Sequence, residues 1–121
     1  MIETPSSVLA LDEIIRVSDF LSIGTNDLLQ YTMAADREKM NVSRYYEAGG
    51  RLICEWICQI TEKADKAKIK CEICGELAAN IEYTEALLKC GLRHYSVVPH
   101  LIPEIKNTIN KSLVTLSTCA N

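Results

Sequence analysis

Glu3, Asn26, Asp27 and Cys74 each follow a short apolar stretch, and each is a residue type that does chemistry as readily as it packs. The carboxylates are hard oxygen donors suited to Mg²⁺, which takes one or two protein carboxylates and completes its shell with water and substrate phosphate. The amide can hydrogen-bond a phosphate, and Arg37, ten residues after Asp27, carries a planar fork that fits one. A thiol can act as an acid or, once ionised, as a nucleophile. Around the middle pair, "FLSIGTNDLLQYTMAADR" over residues 20–37 turns from strand-like to helix-like at Gly24-Thr25-Asn26-Asp27. Two readings stand there. Asn26 or Asp27 caps the following helix, or the turn holds a metal or an anion on its side chains and N–H groups. For Glu3 the plain reading is a terminal residue without a role, and for Cys74 a small packed side chain.

The elements that must position these residues follow from apolar periodicity. Strand-like stretches fall at 1–4, 20–23, 68–73 and 95–98. Between them lie helical patterns. The first has Ser6-Ser7 as its cap and Val8, Leu11 and Ile15 on one stripe. The longest, over 50–67, carries Leu52, Ile53, Trp56, Ile57 and Ile60 on one face. A third, over 81–90, ends at Gly91, which suits a left-handed cap. The last starts near Pro103, with a frayed tail expected over 112–121. Strands alternating with helices imply an α/β fold with parallel pairing. Either a small open sheet or four βα units of an eight-unit barrel fits the pattern. In both, chemistry sits beyond the carboxyl ends of the strands, where Glu3, Asn26-Asp27 and Cys74 fall.

Composition bounds the rest. The 121 residues make one domain with net charge −3 and scattered basic side chains, which gives no nucleic-acid surface. No apolar run is long enough to span a bilayer and the first residues lack a signal-peptide layout, so a cytoplasmic protein is expected. Six cysteines, at 54, 58, 71, 74, 90 and 119, are then expected to be free rather than paired. Zinc on Cys54, Cys58, Cys71 and Cys74 is a competing idea, opposed by geometry. Residues three apart on one strand face opposite ways.

The segments "MIETPSS", "DFLSIGTNDLLQYTMAADR" and "CGELA" together resemble the phosphoenolpyruvate-binding barrel of the phosphoenolpyruvate-utilising family, and within it the enzyme I type of the bacterial sugar phosphotransferase system. The resemblance covers nearly the whole chain, to about residue 111. It implies strands five to eight of a (β/α)₈ TIM-type barrel, with Mg²⁺ on Glu3 and Asp27 and substrate phosphate on Asn26, Asp27 and Arg37. It also implies that Cys74 delivers a proton to the enolate carbon as pyruvate forms. Phosphoenolpyruvate and pyruvate would be the small-molecule partners, and a phosphocarrier protein the macromolecular one.

The chain departs from the family pattern at Glu72, where a glycine is usual, and at Ala79-Asn80, where Gly-Asp is usual. Glu47-Ala48-Gly49-Gly50 stands in place of a proline-containing loop, and is expected to be looser. No counterpart of the phosphoryl-accepting histidine is present, since His94 and His100 lie in no matching motif. The expectation is therefore a half-barrel with a metal site and a proton donor, and little phosphotransferase activity alone. The alternative is a non-catalytic assembly module that homodimerises through open strand edges and apolar inner strand residues, or that receives the missing half of the barrel.

Overall fold

The Thr4 hydroxyl accepts a hydrogen bond from the Ser7 N–H at 3.1 Å, and the Ser7 hydroxyl oxygen accepts one from the Thr4 N–H at 3.2 Å. This reciprocal cap places Pro5 at the first helical position, where its missing N–H is no loss. The cap thus lies at Thr4 rather than at Ser6-Ser7. Helix α1 spans Pro5–Leu9 and α2 spans Leu11–Arg16. The computed structural model describes residues 1–35 and 43–118, with side chains over 1–35 and 49–115.

Strand β1 (Phe20–Gly24) feeds directly into α3 (Thr25–Met33). Then come α4 (Ser43–Ala67), β2 (Lys70–Cys74) and α5 (Glu76–Ala79). A 3₁₀ turn (Ile81–Tyr83) leads to α6 (Thr84–Lys89), β3 (His94–Tyr95) and α7 (Ile102–Thr118). The strands are parallel in the order β1-β2-β3, with Ser22 opposite Glu72, Gly24 opposite Cys74, and Glu72 opposite His94. The strand expected over 1–4 is a single parallel bridge between Ile2 and Ile23, closed by Ile2 N–H to Ser22 O at 2.7 Å and Gly24 N–H to Ile2 O at 2.9 Å. The strand expected over 95–98 is only His94–Tyr95, followed by one further bond, Ser96 N–H to Ile73 O at 2.8 Å. Pro99, which has no N–H for a ladder, opens a 3₁₀ turn instead.

Helix α4 begins seven residues before the expected position and runs through Gly49 and Gly50. Glycine costs about 1 kcal/mol inside a helix, so something must require it. A Cβ at Gly50 would lie 2.5 Å from the Tyr83 hydroxyl oxygen, and one at Gly49 would run into Leu29 Cδ1. The pair is a close-packing point within a helix, where the sequence suggested a loose loop.

Leu21, Ile23 and Ile73 turn one face of the sheet toward Leu28 of α3, Ile53, Ile57 and Ile60 of α4, and Leu87 of α6. All are buried, and burying such a side chain stabilises by about 1.5–3 kcal/mol. Period-two alternation then sends Phe20, Ser22, Lys70, Glu72 and Cys74 to the opposite face. That face is mixed and largely polar, with Lys70 Nζ 4.0 Å from Glu72 Oε2. Of the apolar strand residues, Leu21, Ile23 and Ile73 face the helices, and Phe20, exposed, lies on the opposite face. Among the described residues, no helix is long and apolar enough to cross a membrane.

The cysteines depart from expectation. Cys58 of α4 and Cys90, just past α6, form a disulfide with Cα atoms 4.3 Å apart. The Thr61 hydroxyl, one turn along α4, donates to the Cys90 carbonyl and holds the same two elements together. Spacing along the chain could not reveal this pair, since it depends on where α6 ends against α4. Cys71 and Cys74 lie on opposite faces of β2, and Cys71 packs against the core.

Burial, reinforced by the Glu72 charge, pushes the Cys71 thiol up to about 11. Burial likewise pushes the Tyr95 phenol up to about 12, against an opposing effect of Arg93. A raised folded pKa means that the unfolded chain loses its proton first. Stability is therefore expected to hold below about pH 8.5, the ordinary thiol range, and to fall as pH rises toward 11. Urea midpoints measured across that range should show the decline, and Cys71→Ala should flatten its lower part.

Candidate active site

Three strand ends meet at one edge of the sheet. Glu3 leaves the Ile2 bridge beside Gly24, where an added Cβ would stand 3.0 Å from both Glu3 Cβ and Glu3 Oε2. The missing side chain is the cradle in which the Glu3 carboxylate rests. A carboxylate held at a strand end by a close backbone approach fits a hard cation such as Mg²⁺.

At the next strand end neither Asn26 nor Asp27 caps α3. The cap position is Gly24, without a side-chain bond, and Asn26 and Asp27 occupy the first helical turn. The polar run instead ties two loops together. Thr25, buried, donates its hydroxyl to the Cys74 carbonyl at 2.8 Å. Asn26 Oδ1 accepts from the Glu76 N–H at 2.8 Å. Because its oxygen meets an N–H, the Asn26 amide orientation is fixed, and its NH₂ end is the one left to donate elsewhere. Asp27 is exposed in the first turn of α3.

Gly75 makes the tie possible. Its φ of +93° is in the region that side chains avoid, and a Cβ there would sit 2.5 Å from Thr25 Oγ1 and 2.8 Å from Asn26 Oδ1. Cys74, half-buried on the polar face, points its thiol toward the Ile23 carbonyl at 3.4 Å. The Ser22 hydroxyl lies 3.9 Å from the same sulfur. Arg37 lies outside the described residues.

A cavity of about 260 Å³ opens beside the tie, lined by Thr25, Asn26, Leu29, Gly50, Asn80 and Tyr83 among others. Of the four sequence-named residues, Asn26 lines it, while Glu3, Asp27 and Cys74 do not. Among the described residues, no group of three or more His, Cys, Asp or Glu side chains is placed to share a metal. A cation at the strand ends would find at most two such carboxylates among the described residues.

Sequence reasoning named Glu3, Asn26, Asp27 and Cys74, and all four lie on neighbouring strand ends or the helix start that follows. It gave no role to Ser22, Gly24, Thr25 or Gly75. Their part depends on the register that sets Gly24 opposite Cys74, which periodicity within one strand does not contain.

The family model described as "PEP-utilising enzyme, PEP-binding domain" matches residues 1–114. A phosphoenolpyruvate-protein phosphotransferase of Cupriavidus necator is 38% identical over 109 residues, covering 90% of this chain and 19% of the relative. One from Bacillus subtilis is 38% identical over 111 residues, covering 92% of this chain and 20% of the relative. A probable phosphoenolpyruvate synthase of Archaeoglobus fulgidus is 32% identical over 113 residues, covering 93% and 15% respectively. The chain spans about a fifth of the length of the phosphotransferases it matches. With the family model covering nearly all of it, the chain belongs to the phosphoenolpyruvate-utilising enzyme family, through the model of that family's phosphoenolpyruvate-binding domain.

Proposed function

We propose that this chain is the second half of a phosphoenolpyruvate-binding (β/α)₈ barrel of a phosphoenolpyruvate-protein phosphotransferase, retaining part of its substrate site. The observation that carries the reading is the tie through Thr25, Asn26 and Gly75, which holds the Asn26-Asp27 and Cys74 strand ends together beside Glu3. The Ile2 bridge and the three strands supply the consecutive parallel positions that half a barrel needs.

In this reading Glu3 and Asp27 hold Mg²⁺, which when bound offsets charge on the phosphate and on the enolate oxygen. Asn26 donates its NH₂ to a phosphate oxygen, and Arg37 supplies a fork to the same group. Phosphoryl transfer leaves the enolate of pyruvate. Cys74 then gives its S–H proton to the methylene carbon, so a C–H bond forms and a thiolate remains. In the reverse direction the thiolate removes a methyl proton. The phosphoryl acceptor must be held in line with the phosphate, and His94, level with Glu72 two residues below Cys74 on the sheet, is not at the strand ends. In this reading the acceptor is supplied by a longer protein, and the names of the relatives support a protein as the final acceptor. The isolated chain is expected to show little phosphotransferase activity.

Isothermal titration of phosphoenolpyruvate in the presence of Mg²⁺ tests the reading. Saturable binding with a Kd of about 1 mM is expected, weakened at least about tenfold by Glu3→Gln, which exchanges a charged ligand for a neutral one. Absence of binding by the folded chain would overturn the retained site.

A further inference from the structure

The cavity beside the tie has a chemistry of its own. Its volume of about 260 Å³ lies just below the roughly 300 Å³ at which ordinary small-molecule pockets begin. Leu29 of α3, Ile53 of α4 and Leu77 of α5 give it an apolar wall. Its polar groups come from Asn26, Asn80, Tyr83 and Glu82. Asn26 Oδ1 accepts from the Glu76 N–H at 2.8 Å, and Asn80 Oδ1 accepts from the Glu82 N–H at 3.0 Å. Both amide oxygens are thus engaged, and both NH₂ groups are left to donate.

Tyr83 lies against α4 where Gly50 has no side chain, since a Cβ there would stand 2.5 Å from its hydroxyl oxygen. That hydroxyl has no hydrogen-bond partner among the described residues, and it can both donate and accept. Glu82, exposed on the 3₁₀ turn, brings a carboxylate to the same lining. Gly50 and Asn80 are two of the positions where the sequence departs from the pattern it resembles, and they meet at this one cavity.

We propose that this cavity binds a small neutral polyol, at a site adjoining the strand ends but distinct from them. Two amide NH₂ groups and a phenol call for acceptors on the ligand, while the Glu82 carboxylate calls for a donor. A hydroxyl supplies both from one atom, so a six-carbon ring or chain of adjacent hydroxyls matches the whole set. A carboxylate or phosphate ligand would satisfy the donors but meet Glu82 as a like charge. A hydrocarbon would strip water from the amides and the phenol without replacing it. The C–H edges of the polyol pack on Leu29, Ile53 and Leu77. The Asn26 NH₂ has two hydrogens, so it can serve this cavity and the strand-end site together. The proposal does not rest on the reading of the strand ends as a phosphoenolpyruvate site.

Titration of the ¹⁵N-labelled chain with myo-inositol, a ring, and sorbitol, a chain, tests the proposal through the side-chain NH₂ signals of Asn26 and Asn80. Saturable shifts of both signals are expected for at least one of the two, with a Kd of about 1–10 mM. Butyrate and butylammonium, the charged controls, should bind at least about tenfold more weakly. Asn80→Asp keeps the oxygen that caps the 3₁₀ turn but removes the donor and adds a charge, and should weaken binding at least about tenfold. Tyr83→Phe removes one oxygen and keeps the ring, and should weaken it about 3- to 10-fold. Should Asn80→Asp not fold, the phenylalanine variant carries the test alone. No saturation by either polyol, equal binding of a charged control, or unchanged affinity in the folded variants would overturn the proposal. Phosphoenolpyruvate is titrated separately, so failure of the retained site is read apart from failure of this one.

Discussion

Gly75→Ala is expected to destabilise the chain by about 2–4 kcal/mol, combining strain at a disfavoured backbone conformation with overpacking against fixed neighbours. The φ of +93° accounts for the strain, and the Thr25 and Asn26 atoms 2.5 and 2.8 Å from the new Cβ account for the overpacking. Neither neighbour is free to move, since Thr25 is bonded to the Cys74 carbonyl and Asn26 to the Glu76 N–H. Gly91 provides the comparison. Its φ is +86°, yet the nearest atom to a Cβ there is Thr61 Oγ1 at 3.9 Å. Gly91→Ala should therefore lose only the strain, about 1–2 kcal/mol. Urea unfolding of both variants separates the two effects. Where Gly75→Ala still folds, it should also weaken phosphoenolpyruvate binding at least about tenfold, because displaced strand ends no longer present their groups together. Gly91→Ala should leave binding unchanged. Equal losses in the two variants would mean that the tie is not rigid.

Reducing the disulfide has the opposite signature, a large loss of stability with the site intact. Cys58 and Cys90 are 32 positions apart, and loop closure over that length corresponds to about 2–4 kcal/mol in the chain-entropy account. The bond joins α4 to the end of α6, from which the chain enters the amino end of β3. Groups on that side of a parallel sheet serve stability, while those at the carboxyl ends serve chemistry. The urea midpoint should fall on adding dithiothreitol, and Cys58→Ala/Cys90→Ala should give the same fall without reductant. Phosphoenolpyruvate affinity should be the same in oxidised and reduced protein at a urea concentration where both are folded. A reductant effect that persists in the double variant would place it at another sulfur.

Much of the candidate site was legible because its residue types interrupt an otherwise regular pattern. Gly24-Thr25-Asn26-Asp27 breaks a strand, and Cys74-Gly75-Glu76 breaks another, so chemistry was expected at both ends. The roles inside those interruptions were less legible. Asn26 as a cap and Asn26 as a cross-loop acceptor have the same sequence, and only the Glu76 N–H 2.8 Å away distinguishes them. Gly49 and Gly50 looked like a loop because glycine is poor in helices. Tyr83 and Leu29, distant in sequence, are the reason it is needed there.

Alternation of βα units, the apolar face of each element and the presence of polar groups at successive strand ends follow from the sequence by itself, because each is set by neighbours within a few residues. The register of β1 on β2, the Thr25 and Asn26 ties, the Ser22 contact with Cys74 and the Cys58–Cys90 bond were decided only in the tertiary structure. Each joins residues between 32 and 52 positions apart. Contacts at that range depend on how helices seat on the sheet, and shifting a strand by one residue would turn every side chain on it to the other face.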